Sequence, residues 1–343
     1  MAAGPTETLA MTSRERVIRT LRHQSVDRAP RELWALPAVG LRRGDELARL
    51  EAAYPGDFSG ATVSYGPDPR ARGNDFEVGE YVDEWGCVWR IAEFGLVGEV
   101  VGPPLADWAA LDHYQLPWGL LDQADFSRVD ASCAATERFV KVGTQTRPFE
   151  RLQFLRGSET LFLDLAWGVP EVERALAMLH EFFCREMEMW AATDVDGVSF
   201  MDDWGAQSAL LIAPAMWRAV FKPLYRDYCQ ILKSKGKFVF FHSDGHIAAI
   251  YPDLIEIGVD AVNSQLFCMD IEELGRRYAG QITFWGEIDR QWVMPFGSLN
   301  DVRAAVGRVR AALDHGQGGV IAQCEWGKDV DYDHVAAVFE AWL

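Results

Sequence analysis

Val239-Phe240-Phe241-His242-Ser243-Asp244-Gly245-His246 is an uncharged apolar run that stops on a histidine, an aspartate and a glycine. Such a run suits a strand buried on both faces, with polar chemistry delivered at its end. Side chains alternate along a strand, so His242 and Asp244 project the same way. Gly245 then supplies the freedom to turn. Taken alone, the pair also fits a histidine hydrogen-bonded within a core and an aspartate capping a helix at His246-Ile247-Ala248. The surrounding chain has to decide between these readings.

Outward from this stretch, strand and helix alternate. Toward the amino terminus, a helix from about Pro214 to Ser234 precedes it, and Gly197-Val198-Ser199-Phe200-Met201 forms a strand ending on Asp202-Asp203. Helices are expected over Thr160 to Trp167 and Glu171 to Ala192, and a strand over Phe139 to Thr144. Toward the carboxyl terminus, strands are expected at Ala261-Val262-Asn263, Ile282-Thr283-Phe284-Trp285 and Gly319-Val320-Ile321-Ala322. Helices lie near Asp270 to Tyr278, Leu299 to Leu313 and Asp333 to Trp342. Two more strands, Arg31 to Leu36 and Phe58 to Val63, follow a first helix opened by the capping-box pattern Thr12-Ser13-Arg14-Glu15. About eight strands in β/α alternation predict an α/β fold, a single (β/α)₈ TIM barrel. An open doubly wound sheet is the alternative, but no GxGxxG follows the first strand.

Two segments stand apart from this rhythm. Residues 1–10 read as a disordered tail before a barrel spanning 11–343. About 75–102 reads as a β-hairpin insertion after the second strand, because short alternating segments are separated by glycines.

Composition narrows the function classes. A chain of 343 residues, 49% hydrophobic, can bury a large core. Its net charge of −18 argues against nucleic acid or an anionic membrane as partner. Six scattered cysteines without a CxxC pair, and an amino terminus lacking a basic and an apolar region, predict a reducing, cytoplasmic setting. No apolar stretch approaches the roughly 20 residues of a membrane span.

A closed barrel carries its site at the carboxyl ends of its strands, and here those ends are polar. They read Asp202-Asp203-Trp204-Gly205, His242-Ser243-Asp244, Asn263-Ser264-Gln265, Gly286-Glu287-Ile288-Asp289 and Gln323-Cys324-Glu325. His242, Glu287 and Cys324 offer an imidazole, a carboxylate and a thiol, enough for a catalytic zinc with one position open. Asp244 can replace Glu287 or support the ligands from outside. Asp202 and Asp203 fit either catalysis or helix capping, and Cys324 also fits a small buried apolar side chain. Trp204, Trp285 and Trp326 lie beside strand ends and can wall a ring pocket, with Gln207 and Asn263 as further candidates for substrate binding.

Several blocks resemble the uroporphyrinogen decarboxylase superfamily, and especially its corrinoid-linked methyltransferase and O-demethylase branch. They are Met11 to Val17 with Asp27-Arg28-Ala29-Pro30, Asp83 to Trp89, Asp202 to Gln207, Phe241 to Gly245 with Leu254 to Ala261, and Phe284 to Asp289. The resemblance implies a single (β/α)₈ barrel. The decarboxylases' arginine-rich segment is replaced by Trp34 to Arg43, where Arg42 and Arg43 stay as anion binders. Cys324 falls where decarboxylases have a histidine and the zinc methyltransferases a metal-binding cysteine, whereas His242-Ser243-Asp244 stands where thiol-methylating members have HxC. The implied activity is zinc-dependent methyl transfer from a methoxylated, aromatic substrate to cobalamin on a partner corrinoid protein. His242, Glu287 and Cys324 would hold the metal, Asp202, Asp203 or Asp244 would orient substrate or move a proton, and Trp204 and Trp285 would hold the ring. A metal-free decarboxylase of a carboxylated heteroaromatic is the alternative, and a non-catalytic barrel binding a tetrapyrrole or corrinoid protein comes last.

Overall fold

A computed structural model describes residues 11–343. The tail expected over residues 1–10 lies outside the described residues. The strands are β1 (Arg31–Ala35), β2 (Phe58–Ser59), β3 (Gly79–Val82), β4 (Val88–Ile91), β5 (Glu99–Gly102), β6 (Phe139–Gly143), β7 (Gly197–Met201), β8 (Phe238–Ser243), β9 (Ala261–Ser264), β10 (Thr283–Trp285) and β11 (Val320–Trp326). Eight of them form one parallel sheet in the order β1-β11-β10-β9-β8-β7-β6-β2, rolled into a nearly closed barrel. The remaining three, β3, β4 and β5, form the antiparallel insertion.

Parallel neighbours need crossovers, and helices supply them on the outer face. Burial on both faces explains the apolar run of β8: Val239 and Phe241 point into the layer between strands and helices, whereas Phe240 points into the barrel. Phe240 joins Phe139, Trp285 and Ile321 there, and Val17 and Leu21 of the helix Ser13–Leu21 close that cluster from below. Each such side chain contributes roughly 1.5–3 kcal/mol by leaving water. That helix starts as its sequence predicts, with Thr12 Oγ1 accepting from Glu15 N at 3.2 Å.

The barrel departs from expectation at its second strand, which runs only Phe58–Ser59 rather than to Val63. β2 pairs with β6 but not with β1. At this seam, a backbone bond from Asp57 N to Arg31 O, 2.9 Å, links the two strands at their lower ends. The helix Pro148–Arg156 is a further element that sequence periodicity does not announce. Among the described residues, no helix is long and apolar enough to cross a membrane.

Candidate active site

Alternation fixes which residues face the barrel mouth. On β8, His242 follows Phe240 on the inner face, and its register partner on β9 is Asn263. His242 Nδ1 lies 2.7 Å from Asn263 Oδ1. Asn263 Nδ2 donates to the carbonyl of Trp285, so the amide is oriented with its oxygen toward the imidazole. The proton of a neutral His242 is therefore on Nδ1, and Nε2 presents a lone pair.

Two carboxylates face that lone pair. Asp203 Oδ1 is 3.6 Å from Nε2 and Asp244 Oδ1 is 3.4 Å away. The three ligand atoms lie within 4.8 Å of one another. The loops after β7 and β8 bring the carboxylates together by packing glycine on glycine. A Cβ on Gly205 would come within 2.3 Å of His246 N, and one on Gly245, whose φ is +75°, within 2.2 Å of Gly205 O. Asp244 N donates to Asp203 Oδ1 at 2.8 Å, and Gly205 N to Asp244 O at 3.0 Å. Burial raises the Asp203 carboxyl against the pull of His242, and Asp244 adds to the rise.

Arg290, which the sequence does not single out, ties the acidic side of the mouth. It donates to Asp244 Oδ2 and to both oxygens of Glu325, at 2.9 and 3.0 Å, and its Nε lies 3.1 Å from Glu287 Oε1. That last approach is close but badly angled, so both Glu287 oxygens remain buried without a hydrogen bond. Burial pushes the Glu287 carboxyl well above its ordinary value, with Arg290 opposing. Glu150 is a second addition: burial, then Asp203 and Asp202, raise its carboxyl to about 8.

Several expected site residues serve other purposes. Asp202 caps the helix Pro148–Arg156, accepting from Phe149 N at 2.8 Å and Glu150 N at 2.7 Å, and it accepts from Tyr225 Oη at 2.6 Å. Trp204 is 0% exposed, stacked 4.0 Å from Phe149 and hydrogen-bonded to Tyr225, so it belongs to the core. Trp285 is also buried and lies beneath His242 as floor; Trp326 is buried and donates to Val330 O. Cys324 sits with Ala322 and Trp326 in the outer apolar layer, whereas Ile321 on the same strand faces inward. The structure therefore puts the thiol on the wrong face of β11 to join His242, and Glu287 outside the close trio. Gln207 is exposed on the loop after β7. Arg42 is held by Glu93 and Phe94 O of the insertion; Arg43 by Glu46 and Val330 O, over the Trp326 ring. Both arginines are thus engaged by groups outside the trio.

The aromatic surface near the trio is instead Trp34 of β1, half-buried and with its ring 5.3 Å from that of His242. Below it, Lys141 and Glu32 form an ion pair of 2.7 Å inside the barrel. Lysine in the middle of Phe139-Val140-Lys141-Val142 was a visible signal, since it interrupts an apolar strand.

With this geometry in hand, the sequence model described as "Uroporphyrinogen decarboxylase (URO-D)" matches residues 137–342, more than half of the chain. The chain belongs to the uroporphyrinogen decarboxylase family. The matched segment carries Asp203, His242, Asp244, Asn263, Glu287 and Arg290, whereas the seam strands β1 and β2 precede it. A search of curated proteins finds no match. Among solved structures the fold is similar to a methyltransferase from Methanosarcina mazei, with a TM-score of 0.69 and 13% identity over 97% of this chain and 98% of that one. A glycosylated endo-beta-1,4-xylanase of family GH10 from Gloeophyllum trabeum is also similar, at a TM-score of 0.46 and 11% identity over 94% and 98% of the two chains. The first shows that this family member shares its whole barrel with that protein.

Proposed function

We propose that this family member is a zinc-dependent methyltransferase whose metal is held by Asp203, His242 and Asp244, in place of the His242, Glu287 and Cys324 set. The observation that carries the proposal is the bare Nε2 of His242 facing two carboxylates. Three electron-rich atoms at this separation repel one another unless a proton or a cation lies among them. Asp244 Oδ1, moreover, is buried without a hydrogen-bond partner. Two carboxylates and one imidazole are an acceptable set for zinc with an open position.

A zinc ion at this place supplies Lewis acidity toward the oxygen of a methoxylated, aromatic substrate. The chain's own residues do the rest. Asn263 holds the imidazole in the tautomer that presents Nε2, and Arg290 balances the charge of Asp244, Glu325 and Glu287. Trp34 offers the ring face against which an aromatic substrate can lie. Glu150, whose carboxyl is raised by burial, is the group assigned to give a proton to the departing oxygen. The methyl group leaves for an acceptor, for which the sequence resemblance names cobalamin on a corrinoid protein. Trp292 and Phe296, exposed on the chain that follows β10, give the mouth an apolar rim for such a partner. The M. mazei neighbour is a methyltransferase, a precedent for this activity on the same barrel.

The acidic mouth weighs against decarboxylation of a carboxylated heteroaromatic. Arg290 is already shared among three carboxylates, and Arg42 and Arg43 are held elsewhere. Metal analysis of protein purified without added zinc tests the proposal. About one zinc per chain is expected, lost in His242→Ala and Asp244→Asn and retained in Cys324→Ala. Loss in Cys324→Ala would restore the thiol set, and no metal in the wild type would overturn zinc dependence. Transfer of methyl from a methoxylated aromatic to added cob(I)alamin, read by its visible spectrum, then separates methyl transfer from carbon dioxide release.

A further inference from the structure

The seam between β1 and β2 opens into a cavity of about 500 Å³ that includes none of the mouth residues. Arg31, at the start of β1, lines it and is only 8% exposed. Its backbone N–H donates to Asp57 Oδ2 at 2.7 Å, but its guanidinium has no hydrogen bond or ion pair among the described residues.

The reason is visible in its surroundings. Asp57, fully buried, is the nearest candidate partner, and its two oxygens are already taken by Arg16 at 2.7 Å and by Arg28 at 2.7 and 3.1 Å. Asp27 is taken by Arg16. Three arginines thus share two carboxylates, and one positive charge is left over. Burial lowers the pKa of Arg31 and Arg28 lowers it further, while Asp57 opposes them. The guanidinium lies 5.9 Å from the centre of the Tyr54 ring, and otherwise it faces the cavity.

Across the cavity, Arg138 is exposed and makes no side-chain ion pair among the described residues, whereas Lys141 is neutralised by Glu32. Leu50, Phe58 and Phe339 supply apolar lining, and Glu51 stands at the edge. A guanidinium planar fork, a second arginine and an apolar wall are complementary to a small molecule with one oxyanion head and an apolar body. We infer that the β1/β2 seam is a second ligand site, separate from the mouth, that binds a small organic anion through Arg31 and Arg138. The inference does not depend on the metal or on the methyl-transfer reading. Its head group is a carboxylate or a phosphate.

Calorimetric titration of the full chain with benzoate and with inorganic phosphate, at ionic strength held constant with chloride, tests this. Saturable binding of one equivalent with a submillimolar Kd is expected for at least one probe; tighter benzoate assigns a carboxylate head and tighter phosphate a phosphoryl head. Arg31→Gln should weaken binding at least tenfold, and so should Arg138→Glu, an exposed position at which folding is not in question. His242→Ala should leave it unchanged. Absence of saturable binding to the wild type overturns the site, as does equal affinity in Arg138→Glu. Binding that vanishes in His242→Ala would move the anion to the mouth and equally overturn it.

Discussion

The floor and the mouth of this barrel both hold charge, but they treat it oppositely. On the floor, Lys141 Nζ sits 2.7 Å from Glu32 Oε1 and 3.7 Å over the Trp285 ring, while Trp285 Nε1 donates to Glu32 Oε2 at 2.6 Å. Each charge there has its partner. Toward the mouth, Asp244 Oδ1, both oxygens of Glu287 and both polar atoms of the Gln323 amide are buried without hydrogen bonds. Buried polar groups are satisfied almost everywhere in folded proteins, and a ligand bound at the carboxyl ends of the strands would account for these exceptions. Buried charge alone would have pointed equally to the floor.

The difference can be broken most forcefully at His242. Substitution by alanine should abolish zinc binding and reduce methyl transfer at least about 10³-fold, since a metal ion contributes several kcal/mol to such a step, with the folded state retained by circular dichroism. Lys141→Met probes the other region. It strands Glu32 in the interior and should lower stability by about 3–5 kcal/mol in urea denaturation, while the folded fraction keeps its zinc. Zinc loss in Lys141→Met would show that floor and mouth are one unit rather than two. Asn263→Ala lies between them, since its amide joins the Trp285 carbonyl to the His242 ring. Freed to rotate and change tautomer, His242 should bind zinc about 10–100-fold more weakly, as measured by competition with a chelator.

What was legible in the sequence follows the same division. The barrel and His242 could be read because strand burial leaves continuous apolar runs and strand ends leave polar punctuation. The orientation of Cys324 was also fixed by alternation: Gln323 and Glu325 flank it, and one of the two sets must face outward. Its thiol chemistry is attractive only if that parity is ignored. Arg290 was not singled out because only Glu287, three residues before it, is near it in the chain, whereas Asp244 follows β8 and Glu325 lies on β11. Trp204 misled for a related reason. Proximity to a strand end says nothing of which layer a side chain enters, and the aromatic cluster of Phe149, Phe221 and Tyr225 draws it into the core.

Asp202 and Asp203 give the smallest and sharpest version of the contrast, since one residue of a dipeptide is fully partnered and its neighbour faces His242. Asp202→Asn keeps an acceptor at the helix cap but cannot serve Phe149, Glu150 and Tyr225 together, so it should cost about 1 kcal/mol and leave zinc content unchanged. Its pH dependence supplies a second readout. Burial raises the Asp202 carboxyl to about 7 from an ordinary value of 3.8, against the pull of Tyr225 and of the two helix N–H groups. Between those values the folded chain keeps a proton that the unfolded chain has released, so this group makes stability fall as pH rises through the window. Asparagine does not titrate there. Wild type, measured by urea midpoint, should therefore lose stability relative to Asp202→Asn from about pH 4 to pH 7. A wild type that instead gains stability relative to Asp202→Asn as pH rises would mean that the helix end holds Asp202 ionised, making it a charged cap rather than a neutral one.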